Sequence, residues 1–203
     1  MDQITPEELE QRGRHVAEKF GGILPAFEAF YVESILYSSN IANDAFNRYE
    51  YSVSNLDNEE VIFSYAQEAL THVGSLSRFF WPSRKKGVAH ARGEKLRTAF
   101  GVSEESVLKT RELRNSLEHF DERLDEFLLQ DPTGMFFPGA TVGDHSIADQ
   151  SPGQIFRLID PVAEVFVILG KKHDFAGVRS EVARVLELAK AMIANGSRLK
   201  APR

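Results

Sequence analysis

A chain of 203 residues, 42% of them hydrophobic, can bury one well-developed core, or one core with a smaller appendage, and a single domain is the default reading. No run approaches the ~20 apolar residues of a membrane span, and the start MDQITPEELEQRGRH lacks the basic-then-apolar order of a secretory signal, so a soluble, non-exported protein without membrane attachment is expected. The absence of cysteine excludes disulfides and thiolate metal sites and suits a reducing cytoplasm, while a net charge of -6 argues against a generic nucleic-acid coat and says little about local patches.

The first half reads as helices. Thr5, Pro6, Glu7 and Glu8 combine an N-cap hydroxyl, a proline at the first helical position and early acids, which predicts a helix to about Phe20, broken by Gly21-Gly22. A longer helix is expected from about Leu24 to Tyr49, with Phe27, Phe30, Tyr31, Ile35 and Ile41 as its buried stripe. Asp57-Asn58-Glu59-Glu60 opens a third, with Val61, Ile62, Tyr65, Ala69 and Val73 at helical spacing up to Trp81-Pro82. The polar SRKKGVAHARG is expected to be a loop, followed by a short helix from about Gly93 to Phe100. Ser103-Glu104-Glu105-Ser106 then starts a helix reaching about Leu129.

Residues 130–154 carry Pro and Gly at close intervals and predict a long loop. Two short apolar, β-branched runs follow, at about 155–159 and 164–169, and Pro161 between them favours a small β-hairpin over a helix. A final helix runs from Ala176 to about Ala194, with Val178, Val182, Val185, Leu186 and Ile193 on one side and Asn195-Gly196 as its stop.

Within the 103–129 helix, Leu113, Leu117, Phe120, Leu124 and Phe127 fall on one apolar stripe at about 100° per residue. Asn115 and His119, four residues apart, share a face roughly opposite, and Arg114 sits on the flank. On spacing alone this is a solvated face, since Arg114–Glu118 and His119–Arg123 are also ordinary i,i+4 pairs.

The segment LKTRELRNSLEHFDERLDEF resembles the signature helix of the HEPN superfamily, in which an Arg, usually a polar residue, a few further residues and a His follow one another. Arg114, Asn115 and His119 match those positions. The match covers this helix strongly and the rest of the helical layout loosely. The resemblance implies a mainly α, HEPN-like helical bundle acting as a homodimer, with the motif helices of two subunits side by side and two Arg–His pairs in one cleft. It also implies metal-independent endoribonuclease activity, with no cofactor. His119 would act as general acid or base on the ribose 2′-hydroxyl or the leaving oxygen, Arg114 would stabilise phosphorane charge, and Asn115 would orient one of them. A toxin, stress-response or phage-defence role, with an antitoxin or other protein as partner, belongs to the same implication.

Many relatives of that fold are catalytically silent interaction modules, which is the competing expectation. Two further residue patterns bear on the choice. Residues 112–131 hold seven acids against Arg114 and Arg123, a poor bed for a polyanion. Relatives that are adenylylation targets carry a Tyr two residues after the His, where this chain has Asp121.

Residues 77–97 hold seven cations against one acid, Glu94, and Phe79, Phe80 and Trp81 precede most of them. Cations beside aromatic faces suit single-stranded RNA, so Arg78, Trp81, Arg84, Lys85, Lys86 and Arg92 are the candidate RNA contacts. The same stretch reads equally as core aromatics, a chain stop at Pro82 and a loop that neutralises the acidic helix. His145, near Asp144 and Asp149, and His173 lack a second His at metal-ligand spacing, so no metal site is expected. The chain has no Gly-rich phosphate loop, no G-x-S-x-G elbow and no His-Glu-x-x-His helix.

Overall fold

The structure, a computed structural model, describes residues 4–130, 135–150 and 153–199. Helix α1 (Pro6–Phe20) starts at a capping box: the Glu8 N–H donates to Thr5 Oγ1 at 3.2 Å, and the Thr5 N–H donates to the Glu8 carboxylate at 3.1 Å. It ends at Gly21 in the left-handed region. At Gly22, with φ of 84°, an added Cβ would lie 2.2 Å from the Arg92 backbone nitrogen, so only glycine lets this corner meet the next helical layer. A 3-10 turn (Pro25–Phe27) leads into α2 (Glu28–Ser54), followed by α3 (Glu59–Phe80), capped by Asn58, and α4 (Gly87–Phe100).

The expected stripe of the second helix is partly wrong. Ile35 is buried, but Phe27 and Phe30 are 50% and 68% exposed, and Tyr31 and Ile41 are only half-buried. The helix instead packs through Val32, Ile35, Ser39, Ala42, Ala45, Phe46 and Tyr49 against α3 and the C-terminal helix. Ser39 is tolerated there because its hydroxyl donates to the Ile35 carbonyl at 2.7 Å. The expected loop at 83–93 is also shorter than foreseen, since α4 already begins at Gly87 and docks across α1 and α3.

Residues 101–110 are irregular, and the expected 103–129 helix is two helices, α5 (Arg111–Glu118) and α6 (Phe120–Gln130), bent at His119. Hydrogen bonds continue across the bend, from the His119 N–H to the Asn115 carbonyl and from the Arg123 N–H to the His119 carbonyl, both at 3.1 Å. Buried Ser116 lies next to this bend. Its hydroxyl donates to the Glu112 carbonyl at 3.0 Å, a back-bond of the kind that bends helices, and accepts from Arg123 Nη1 at 2.8 Å.

The expected 130–154 loop contains β1 (Met135–Val142) and a short helix, α7 (Ile147–Gln150), while residues 131–134 and 151–152 lie outside the described residues. The expected hairpin is present as β2 (Gly153–Asp160) and β3 (Val165–Ile168), paired antiparallel within a larger sheet that β4 (Lys171–Asp174) completes. Strand order is β1-β2-β3-β4, with β1 parallel to β2. The β1 register is irregular between Phe137 and Ala140, and the Ala140 N–H donates to Glu60 Oε1 of α3 at 2.8 Å.

Helix α8 (Val178–Ala194) closes the core against α2. The chain is thus mainly helical with one small four-stranded sheet laid on α3. No described helix is long and apolar enough to cross a membrane.

Candidate functional site

Helix α5 places its polar residues on two separate cavities. The Arg114 side chain is only 11% exposed and lies over Gly74 of α3, where an added Cβ would come within 3.0 Å of Arg114 Cγ. Its Nε is 3.7 Å from Glu118 Oε2, and Glu118 is also paired with Arg78. Arg114 lines a cavity of about 340 Å³ that includes Trp81, Lys85, Arg97, Glu104 and Lys109.

Asn115 and His119 line a second cavity of about 690 Å³, together with Ser116, Glu122, Arg123 and Lys171. The His119 side chain is 55% exposed, with Nδ1 3.5 Å from Glu122 Oε2. Among the described residues the two cavities share no lining residue. Within one chain, therefore, Asn115 and His119 come together and Arg114 is held apart from them.

The basic stretch does not form one surface either. Trp81 and Lys85 join the Arg114 cavity. Arg84 and Lys86 lie on a third, apolar groove of about 1160 Å³ between α1, the start of α2 and α4, beside Phe27 and Phe30. Arg78 is engaged with Glu118, and the Arg92 guanidinium stands 5.9 Å from the Tyr31 ring centroid while donating to the Arg78 carbonyl at 3.4 Å.

Four residues that shape these cavities were not singled out from the sequence. Arg97, Glu104 and Lys109 converge on Trp81: Glu104 accepts from the indole Nε1 at 3.2 Å, pairs with Arg97 at 2.7 Å and pairs with Lys109 at 3.0 Å. Lys171, in the first position of β4, reaches the His119 cavity only because the sheet lies beside α5 and α6. No spacing in the sequence signals either convergence.

Two other histidines find defined settings. His173 is buried, its ring pKa lowered by burial and by the nearby Lys171 and Arg123 charges, against an upward pull from Glu112. His145 Nδ1 is 2.8 Å from Asp160 Oδ2, and donor atoms of Asp144, His145 and Asp160 lie within 4.8 Å of one another, the one such trio with metal-ligand potential among the described residues.

Asp160 is already saturated within the chain. It accepts the N–H groups of His145 at 3.0 Å, Val162 at 3.0 Å and Ala163 at 2.9 Å besides the imidazole contact, so the trio reads as a clamp on two turns. Burial alone would raise the Asp160 pKa, but these hydrogen bonds outweigh it and hold the carboxyl at about 2.

A folded-state pKa below the ordinary 3.8 means that this stabilisation is full above the unfolded value and is lost as pH falls through the folded one. Asp160→Asn is therefore expected to cost about 2 kcal/mol at neutral pH and almost nothing at pH near 2. Urea unfolding of both proteins between roughly pH 5 and pH 2 checks this, and parallel curves across that window would disprove the clamp.

Comparison of the chain with protein-family models, curated proteins and solved structures finds no match.

Proposed function

We propose that this chain is a HEPN-type, metal-independent endoribonuclease that works as a homodimer through the motif helix, with Asn115 and His119 at its chemical centre. The observation that carries the reading is the open polar cavity where those two side chains stand with Arg123 and Lys171. A histidine titrates near neutrality and can take the proton of a ribose 2′-hydroxyl or return one to the leaving oxygen. Arg123, steadied by Ser116 Oγ at 2.8 Å, offers a guanidinium for phosphate oxygens, and Lys171 adds a second charge. Cellular roles in toxicity, stress response or phage defence, in the cytoplasm and under an antitoxin-like partner, remain part of this proposal through the resemblance alone.

A second reading is favoured by Arg114. Its low exposure and its Glu118 contact suit a dimeric helical module that binds a protein or nucleic acid without cutting.

The deciding experiment is cleavage of a mixed-sequence RNA with EDTA present by wild type, Arg114→Ala and His119→Ala, each checked for folding and oligomeric state. His119→Ala is expected to slow cleavage by about 10²–10⁴-fold. Arg114→Ala measures how much the neighbouring cavity contributes. A wild type that leaves the RNA intact favours the module, and equal cutting by all three proteins removes the motif from the mechanism.

A further inference from the structure

The cavity beside α5 that holds Arg114 has a composition unlike the rest of this acidic chain. Among the described residues Lys85, Arg97, Lys109 and Arg114 line it with one carboxylate, Glu104, while Glu118, outside the lining, pairs with Arg114. The Trp81 indole forms part of the wall, with Arg97 Cζ 5.8 Å and Lys109 Nζ 6.0 Å from the ring centroid. Arg97 is fixed from two sides, by Glu104 and by the Phe80 carbonyl at 2.6 Å, so the cation array is organised before any ligand arrives. At about 340 Å³ the space lies at the small end of the range for ligand pockets of about 300–1,000 Å³.

We propose that this cavity binds one nucleotide unit of single-stranded RNA, its base against the Trp81 indole and its phosphate among Lys85, Lys109 and Arg114. An excess of cations attracts phosphate, and an aromatic wall accepts any base through its π-face, which together define a sequence-tolerant nucleotide subsite. The proposal rests on the reading of RNA as substrate. It gives Arg114 a task separate from the chemistry at His119: holding the strand one subsite away. The two residues are five apart in the chain, about 7.5 Å along a helix axis.

Trp81 is the sole tryptophan of the chain, so its emission reports this cavity alone. The experiment titrates the full-length protein with adenosine 5′-monophosphate, which has no internucleotide bond to cut, alongside adenosine and inorganic phosphate. The expected result is a saturable change in Trp81 emission with the monophosphate, weakened about tenfold by Lys85→Gln/Lys109→Gln and by loss of the phosphate in adenosine, and weakened further by salt. Both lysines are exposed, and far-UV circular dichroism verifies that the variant is folded.

No saturable change with the monophosphate overturns the subsite, as does a change that adenosine reproduces in full or that the double variant retains. Cleavage of RNA without a Trp81 response overturns the subsite and leaves the cleavage reading standing. A Trp81 response without cleavage supports the subsite and counts against the nuclease.

Discussion

Phe63→Ala is expected to remove about 3–5 kcal/mol of stability, a large share of the 5–15 kcal/mol typical of a whole domain. Phe63 is 2% exposed on α3 and stacks on Phe166 of β3, with ring centroids 4.8 Å apart and planes inclined by 26°. Arg157 of β2 covers the same ring, its Cζ 5.8 Å from the centroid. One aromatic pair therefore joins the helical layer to the sheet, and truncation leaves a cavity that neither layer can fill alone. Urea unfolding should show a lower midpoint at unchanged slope, with Phe63→Leu intermediate and Val61→Ala, on the exposed side of the same helix, within about 0.5 kcal/mol of wild type. A loss below about 1 kcal/mol for Phe63→Ala would mean that sheet and helices do not share a core.

The next largest effect is expected at Lys95→Met, about 3 kcal/mol. Lys95 Nζ, from α4, donates to the Phe20 carbonyl at 3.2 Å, the Ile23 carbonyl at 3.1 Å and Glu28 Oε1 at 3.0 Å. Glu28 is 5% exposed, and its other oxygen meets Arg198 Nε at 3.0 Å and the Leu199 N–H at 3.1 Å. Burial would raise the Glu28 pKa, but the Lys95 hydrogen bond and the groups around Leu199 outweigh it and lower the value.

Methionine keeps the stem of Lys95 and removes the charge, leaving a buried carboxylate one partner short. Glu28→Leu combined with Lys95→Met should recover much of the loss, because the uncompensated charge disappears with it. A double variant whose loss equals the sum of those of Lys95→Met and Glu28→Leu, measured by denaturant unfolding, would show that the pair is uncoupled.

These sites also show what a reader of the sequence alone sees and misses. Thr5-Pro6 and Asn58 announce helix starts because capping is local chemistry, and the two β-branched runs around Pro161 announce a hairpin for the same reason. Phe27 and Phe30 mislead because hydrophobicity does not say which face of a helix meets a neighbour; α2 turns Ala42, Ala45 and two hydroxyl-satisfied serines inward instead. Strand β1 stays hidden behind Pro138, Gly139 and Gly143, since its pairing partner comes later in the chain. In the same way the polar run before Gly93 hides the start of α4, whose place is fixed by contacts with α1 and α3. The motif residues were legible as a trio, but the separation of Arg114 from His119 follows from Ser116, Gly74 and Glu118, which carry no signal at the level of spacing.

The four-stranded sheet has two outer strands, and each is closed to growth in its own way. In β1, Pro138 lacks an N–H, the register is broken between Phe137 and Ala140, and the Ala140 N–H is already given to Glu60. In β4, Lys171 and Lys172 line the opposite rim with positive charge. Met135, Phe136 and Phe137 can thus stand at the surface without offering a template to a neighbouring chain. Edges interrupted in these ways disfavour fibril-like stacking even where an apolar strand end faces water.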